Sequence, residues 1–303
     1  MLLPVILFQS HPSQVPIGPI PPLRRRVEPA LPGWVVDVGS AENARMSDDG
    51  GVMFVGNVRA YLADDVALKG KWSEYAYTRV NYFEAPLSLD LDLSNVPCGC
   101  LACVYLVALP QPNGDSSSYC DMAHSFKPGF GGGPCTEVDI MEADNVAFSS
   151  ALHTSRGSGS DGGRCNSWGC SAFLGPMAKS AADRRVFGPG DGFAINSQRK
   201  FNVRIARDSE APHGAYTIRL EQDGRHATVF NHRKAGNPAG RGLPLDALRG
   251  VQQSMGKFAL VASLWSQGAP ANEWLDGECM KCDLGAASFT VSNLVHDVKS
   301  FSK

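Results

Sequence analysis

The chain has 303 residues, enough for one substantial core, and an all-β domain of about 200 to 250 residues commonly stays undivided. Its 28 basic and 30 acidic residues nearly cancel, which excludes binding of nucleic acid or of an anionic membrane by charge alone. The 32 glycines and 20 prolines, without a long run rich in Ala, Leu, Glu and Lys, favour short strands joined by turns over a helical bundle.

The first 34 residues are predicted to form a flexible, proline-rich leader. The apolar stretch at its start, Met1 to Phe8, is far too short to span a bilayer. It is either a degenerate secretory signal, without a basic start or a clear cleavage site, or simply a disordered leader. The arginine run Arg24 to Arg26 is interpreted as solvated. We therefore expect a single β-sandwich domain over residues 35–303.

Strand patterns recur after the leader. Tyr75 to Tyr82 is aromatic and β-branched, and Leu87 to Leu93 alternates leucine with polar residues, which predicts a half-buried strand with four leucines inward. The nearly continuous apolar run Val104 to Leu109 predicts a central strand that is covered on both faces.

The second half of the chain continues in the same way. Gly214 to Glu221 and Arg225 to Phe230 flank an Asp-Gly pair that favours a hairpin turn. Phe258 to Trp265 predicts another buried strand, Ala287 to Val295 predicts the last one, and only Pro244 to Met255 is typical of a helix. The fold class is therefore all-β, and we expect two antiparallel sheets packed as a sandwich or jelly roll.

Nine cysteines are many for a reduced compartment, and their odd number leaves at least one unpaired within the chain if the others form disulfides. Two Cys-x-x-Cys pairs, Cys100/Cys103 and Cys279/Cys282, could together hold zinc. Against this, a separation of three along a strand places Cys100 and Cys103 on opposite faces. We predict disulfides, and neither a metal nor a cofactor.

The most informative segment carries three carboxylates, Glu137, Asp139 and Glu142. In a strand Glu137 and Asp139 share a face, whereas Glu142 joins them only if a bulge forms at Ile140-Met141. Three neighbouring carboxyl groups cannot all ionise without cost, so at least one pKa must rise. An acidic exposed face or a calcium site would show the same pattern.

The pattern also suits a retaining glycosidase, which needs a nucleophile and an acid/base about 5 to 5.5 Å apart. Glu137 would then be the nucleophile and Glu142 the acid/base. Asp139 would orient the nucleophile and help to keep Glu142 protonated through its negative charge.

This segment resembles the Glu-x-Asp-x-x-Glu active-site strand of glycoside hydrolase family 7, the cellulases of fungi and some protists, and the likeness extends over residues 50–297. Other segments match in the same order, namely Leu91 to Gly99 with its Leu-Pro-Cys-Gly-like end, Tyr119-Cys120-Asp121, His153, Trp265, Trp274 and Val291 to Leu294. The resemblance implies a concanavalin-like β-sandwich with a substrate cleft on its concave face.

The resemblance also implies roles for these residues. Asp121 and His153 would support the catalytic carboxylates, and Trp265, Trp274 and Tyr119 would bind sugar rings, whose apolar faces stack on aromatic side chains. It implies a Cys120–Cys135 disulfide and a pairing of Cys98 with Cys279 or Cys282. Cys165 and Cys170 match family cysteines whose partners are missing here, which suggests that they bond to each other.

Three positions depart from the family. Met141 replaces a tryptophan and Asp144 an asparagine, changes that we expect to alter the wall of the site. Ser171 to Pro176 stands where the family has a loop with a tyrosine and an arginine on the product side. The inter-strand segments are shorter than in typical members, which in this family indicates an open cleft rather than a tunnel.

We therefore expect an endo-acting β-1,4-glucanase that is secreted and monomeric and takes part in polysaccharide degradation, with a β-glucan as partner and neither nucleic acid nor a membrane. A β-1,3/1,4-glucanase of the laminarinase type and a non-catalytic, lectin-like sandwich that binds glycans through Trp265 and Trp274 are the alternatives.

Overall fold

A computed structural model of the chain describes residues 33–64, 71–114, 116–122, 135–154, 165, 169–211, 214–234, 243–266, 273–277, 279 and 282–296. The predicted leader lies outside these residues except for Gly33 and Trp34, and Trp34 is already the first residue of a strand. No helix in the described part of the chain is long and apolar enough to cross a membrane.

Eighteen strands and two α-helices make up the described structure. The strands are β1 (Trp34–Val38), β2 (Ala44–Met46), β3 (Val52–Val55), β4 (Val58–Asp64), β5 (Ala76–Tyr77), β6 (Arg79–Val80), β7 (Leu87–Asp92), β8 (Leu101–Val107), β9 (Glu137–Ala143), β10 (Phe148–His153), β11 (Cys170–Leu174), β12 (Phe187–Gly188), β13 (Ile195–Asn196), β14 (Phe201–Arg207), β15 (Tyr216–Gln222), β16 (Arg225–Phe230), β17 (Phe258–Trp265) and β18 (Ser288–Val295). The helices are α1 (Leu245–Ser254) and α2 (Glu273–Asp276).

Two large antiparallel sheets form the sandwich, so the predicted all-β fold is confirmed. The larger sheet has the order β1-β4-β17-β8-β9-β10-β11, with β5 paired to β4 and β6 to β17. The second sheet has the order β16-β15-β14-β7-β18-β3-β2. Alternation explains the packing of β7, where Leu87, Leu89 and Leu91 are buried and the residues between them are not.

One hydrophobic core fills the space between the sheets, and a second apolar cluster covers the other face of the larger sheet. We call this second face the outer face. Its cluster takes Tyr61 and Ala63 from β4, Cys103 and Tyr105 from β8, and Val261 from β17. The residues that alternate with them point into the core between the sheets. The predicted double coverage of the Val104 to Leu109 segment is thereby confirmed.

Two local predictions are also confirmed. Asp223 and Gly224, with φ of 50° and 74°, form the hairpin turn between β15 and β16. The segment Pro244 to Met255 contains α1. The predicted strand over Tyr75 to Tyr82 is broken into the two-residue strands β5 and β6, which pair with different neighbours.

Four disulfides stabilise this framework. They join Cys98 to Cys279, Cys100 to Cys282, Cys120 to Cys135, and Cys165 to Cys170. The predicted Cys120–Cys135 and Cys165–Cys170 pairs are confirmed, and of the two partners proposed for Cys98 the structure selects Cys279. The zinc alternative is wrong, because Cys100, Cys279 and Cys282 are in disulfides and Cys103 is buried in the other cluster.

Candidate active site

The carboxylates of β9 lie together because the strand contains the expected bulge. Across from β8, Met141 pairs with Val104 and Asp139 pairs with Tyr105, so Ile140 is an extra residue in the ladder. The pairing with β10 shifts at the same place. Because of the extra residue, Glu142 returns to the face that carries Glu137 and Asp139.

Each carboxylate has its own neighbours on the flanking strands. Glu137 is opposite Val107 on β8 and His153 on β10, and Glu142 is opposite Cys103 and Ser149. Asp139 lies between them and its Oδ2 is 3.1 Å from His153 Nε2. The Asp139 side chain is only 6% exposed, whereas Glu137 and Glu142 are half-buried. Two partly accessible carboxyl groups therefore flank a buried one that is paired with a histidine.

Burial and mutual repulsion raise the pKa of both flanking carboxyl groups. Burial raises the pKa of Glu142 to about 8, with a further rise from the negative charge of Asp139, against the lowering effect of His153. Burial also raises the pKa of Glu137 well above its usual range, and Asp139 adds to the rise while His153 reduces it. Glu142 is thus protonated at neutral pH, which is the state that a general acid requires.

His153 is held as a cation. Burial disfavours its charged form, but the hydrogen bond to Asp139 and the surrounding carboxylates raise its pKa to about 10. Gly169, with φ of +69°, lies against the imidazole so closely that a Cβ there would be 2.5 Å from the ring. The ring is therefore fixed by a carboxylate on one side and by a backbone position that only glycine fills well on the other.

Asp121 and Tyr119 lie near the nucleophile candidate. The charge of Asp121, which is 5% exposed, contributes to the raised pKa of Glu137. Tyr119 Oη is 3.3 Å from Tyr105 Oη, and the guanidinium of Arg59 lies 3.8 Å from the centre of the Tyr119 ring. Because Tyr119 is only 9% exposed, little of its ring is open to a sugar, and its contact with substrate stays a prediction.

The two tryptophans lie on opposite sides of β9. Trp265 ends β17, two strands away in one direction, and its indole hydrogen-bonds the Cys103 thiol. Trp274 on α2 is 37% exposed and packs edge-on against Phe173 of β11, two strands away in the other direction, with ring centres 6.3 Å apart. The arrangement therefore places one indole on each side of Glu142.

One expectation about the family departures is wrong, and the structure adds detail to the other two. Met141 was expected in the wall of the site, but it is fully buried in the core between the sheets, because the bulge sends Glu142 and not Met141 outward. Asp144 is also fully buried. The segment Ser171 to Pro176 is not simply a loop, since its first four residues lie in the edge strand β11, and Phe173 there contacts Trp274.

A polar cluster on β1 and β4 was missed at the level of sequence. Asp37 Oδ2 accepts hydrogen bonds from Arg59 Nη2 at 2.9 Å, Tyr61 Oη at 3.0 Å and Ser117 Oγ at 3.0 Å. The alternation Arg59, Tyr61, Ala63 is the signal that would have indicated a strand with this outer face. Cys103, the unpaired thiol next to Glu142, would have followed from the same alternation along β8.

The fold and the site together define a jelly-roll sandwich with a carboxylate-bearing strand on the outer face of its larger sheet. No protein-family model matches the sequence. Among curated proteins, the chain is 25% identical over 279 residues to Endoglucanase EG-1 of Hypocrea jecorina, covering 82% of this chain and 56% of that protein. It is 26% identical over 289 residues to Endoglucanase 1 of Humicola insolens, covering 78% and 67%. The chain thus spans little more than half the length of the first of these relatives.

Solved structures agree on the fold. The native endocellulase EGI of Humicola insolens has a TM-score of 0.60 at 19% identity, over 86% of this chain and 76% of that one. An endoglucanase I in complex with cellobiose gives 0.59 at 20% identity, over 83% and 77%. A GH7 family cellobiohydrolase from Daphnia pulex gives 0.57 at 16% identity, over 86% and 78%. The resemblance to glycoside hydrolase family 7, and its β-sandwich fold, are confirmed.

Proposed function

We propose that the protein is a retaining, endo-acting β-1,4-glucanase. The observation that carries this proposal is the bulged strand β9, which presents Glu137, Asp139 and Glu142 on one face beside a cationic His153. The named relatives are endoglucanases and one structural neighbour holds cellobiose, which supports a cellulose-like substrate.

In the first step Glu137 attacks the anomeric carbon while Glu142 gives its proton to the leaving oxygen, and a covalent glycosyl-enzyme forms. In the second step Glu142, now ionised, takes a proton from water, and the resulting nucleophile displaces Glu137 from the anomeric carbon. Burial and the charge of Asp139 keep Glu142 protonated before the first step. The His153 cation opposes the effects of burial and of Asp139 that raise the pKa of Glu137, and so favours the ionised form that a nucleophile requires.

The substrate side of the proposal rests on aromatic and neutral surfaces. Trp265 and Trp274 provide one indole on each side of Glu142, where the apolar faces of successive sugar rings would stack. A neutral polysaccharide also fits a chain whose net charge is close to zero. Four disulfides support export to an oxidising, extracellular compartment, and we infer that the protein acts there as a monomer.

A substrate panel tests the proposal. Purified protein is incubated with cellulose, soluble mixed-linkage glucan and laminarin, and the products are identified by chromatography while viscosity reports internal cleavage. We expect a rapid fall in viscosity with products from β-1,4-linked chains. The Glu137→Gln variant should lose roughly 10³-fold or more of this activity while it still binds soluble glucan.

Each alternative gives a different result in the same panel. Cleavage of laminarin alone would contradict the linkage and favour a laminarinase-like enzyme. Binding without any released sugar would contradict catalysis and favour a lectin-like sandwich. Unchanged hydrolysis by Glu137→Gln would remove the assignment of the nucleophile.

A further inference from the structure

The end of β9 is joined to α2 by two buried carboxyl groups. Asp144, the residue after β9, is 0% exposed, and Asp276, the last residue of α2, is 4% exposed. Asp144 Oδ1 accepts the backbone N–H of Val146 at 2.7 Å and of Ala147 at 2.8 Å. Asp276 Oδ2 accepts the backbone N–H of Gly99 at 2.9 Å. One oxygen of each carboxyl group is therefore satisfied by the backbone.

The other oxygen of each carboxyl group lacks such a backbone donor. Asp144 Oδ2 and Asp276 Oδ1 are buried and receive no N–H or hydroxyl hydrogen bond from the described residues. The two side chains are hydrogen-bonded to one another, which is possible only if one of them carries a proton. Two ionised carboxylates would instead leave both oxygens unsatisfied and would repel each other in a buried place.

We propose that Asp144 and Asp276 share one proton and act as positioning residues for Trp274, the sugar-binding side chain on α2. The helix has only four residues, so its own hydrogen bonds hold it weakly. Its anchors are Leu275, buried in the outer-face cluster, and Asp276. Trp274 directly precedes these two anchors in the helix and is itself exposed, so the position of its side chain depends on them.

Rising pH should release this contact. Burial raises the pKa of Asp144 to about 7 against the lowering effect of its backbone hydrogen bonds, and the hydrogen bond to Asp276 raises it further. Because the native pKa is above the ordinary value of 3.8, the stability contributed by the shared proton is complete below about pH 4 and is lost as the pH rises through about 7.

Among the described residues, Asp276 is the charged side chain that acts most strongly on the pKa of Asp144, beside burial and the backbone N–H groups of Val146 and Ala147. The Cys98–Cys279 disulfide, whose sulfurs lie within 4.8 Å of an Asp276 carboxylate oxygen, does not titrate. None of the ion pairs among the described residues includes Asp144 or Asp276.

Thermal unfolding of the full chain tests the shared proton without any substrate. In Asp144→Asn the amide oxygen keeps the backbone hydrogen bonds and the amide N–H donates to Asp276 at every pH. We expect similar Tm values at pH 4 and a Tm about 4 °C or more above the unmodified protein at pH 8. Asp246→Asn, the same change at an exposed carboxylate, should leave the pH slope unchanged. Parallel curves for Asp144→Asn and the unmodified protein would overturn the proposal.

Quenching of Trp274 fluorescence by acrylamide tests the positioning role. The signal is the difference between a protein with Trp274 and its Trp274→Phe counterpart. Quenching of Trp274 should increase between pH 5 and pH 8 in the unmodified protein and stay constant in Asp144→Asn. If the pair only stabilises the fold, the Tm will change but the quenching will be the same in the unmodified protein and in Asp144→Asn, which would contradict the proposal.

Binding of cellotetraose connects this inference to the proposed function, on which its sugar-binding clause rests. With Glu137→Gln present to prevent turnover, affinity should fall at least about fivefold from pH 5 to pH 8, and the added Asp144→Asn should abolish that fall. An equal fall in both would contradict the positioning role. No binding at pH 5 would contradict the proposed substrate, while the unfolding and quenching results would still decide on the shared proton.

Discussion

The two faces of β9 differ in the chemistry of their side chains. The inner face carries Val138, Ile140, Met141 and Ala143, all at most 1% exposed in the core between the sheets. The outer face carries three carboxylates whose proximity and burial raise the pKa of two of them. Packing of the inner face in the core stabilises the strand. This packing keeps the three carboxylates of the outer face close together although they repel each other. Function on this strand is therefore separated from stability by the alternation of side chains.

The largest effect that tests this separation is expected from Glu142→Gln. Glutamine cannot supply a proton, so hydrolysis of β-1,4-glucan should fall by about 10² to 10⁴-fold. We expect the rate of the unmodified protein to fall as the pH rises through about 8, where Glu142 loses its proton, and we expect no such fall in the variant. Steady-state kinetics from pH 4 to pH 9 measure both.

Azide provides the control for that variant. It attacks the glycosyl-enzyme without needing a general base, so it should restore turnover of an aryl glycoside with a good leaving group and yield the glycosyl azide of unchanged anomeric configuration. If Glu142→Gln keeps the normal rate and pH profile, another residue is the acid/base.

A smaller effect is expected from Asp139→Asn, which removes the partner of His153. Activity should fall about tenfold to a hundredfold, because the orienting charge is lost but both reacting carboxyl groups remain. The pKa of His153 should fall from about 10 toward 6.5, and the basic limb of activity should move to lower pH as Glu142 loses a negative neighbour. NMR titration of the imidazole measures the first change.

The Asp139–His153 pair also determines how the stability of the protein depends on pH. Because the native pKa of His153 is raised, the stability from its cation is complete below about pH 6.5 and is lost as the pH rises through about 10. In Asp139→Asn this window should shrink. An unchanged imidazole titration would show that the ion pair at 3.1 Å does not persist in solution.

Much of the fold was predictable because alternation is a local signal. The leucines of β7, the hairpin at Asp223-Gly224 and the bulge at Ile140-Met141 each follow from residues that are adjacent in sequence. The site was predictable only along β9 and from the resemblance. The Asp37–Arg59 pair joins residues 22 positions apart on different strands, and no local pattern indicates which strands become neighbours.

Met141 shows why the face of a residue is harder to predict than its strand. It follows a bulge, and each extra residue changes the face of every residue after it. The bulge that brings Glu142 to the outer face also turns Met141 into the core between the sheets. Asp144 then lies beyond the strand, where its partner on α2 is more than 100 residues away in sequence. The sequence identifies the residues of the site but does not predict on which face of the sheet each side chain lies.

The smallest effect is expected at Met141 and tests this reading of the two faces. Met141→Leu conserves volume in the core, so the free energy of unfolding should change by less than about 1.5 kcal/mol, with kcat and KM unchanged. Met141→Trp, which restores the residue typical of the family, adds volume to a filled core and should cost about 1 to 3 kcal/mol. Chemical denaturation and steady-state kinetics on both variants measure this. A changed KM in Met141→Leu at unchanged stability would mean that Met141 faces the substrate, and the division of β9 into a stabilising inner face and a functional outer face would fail at its centre.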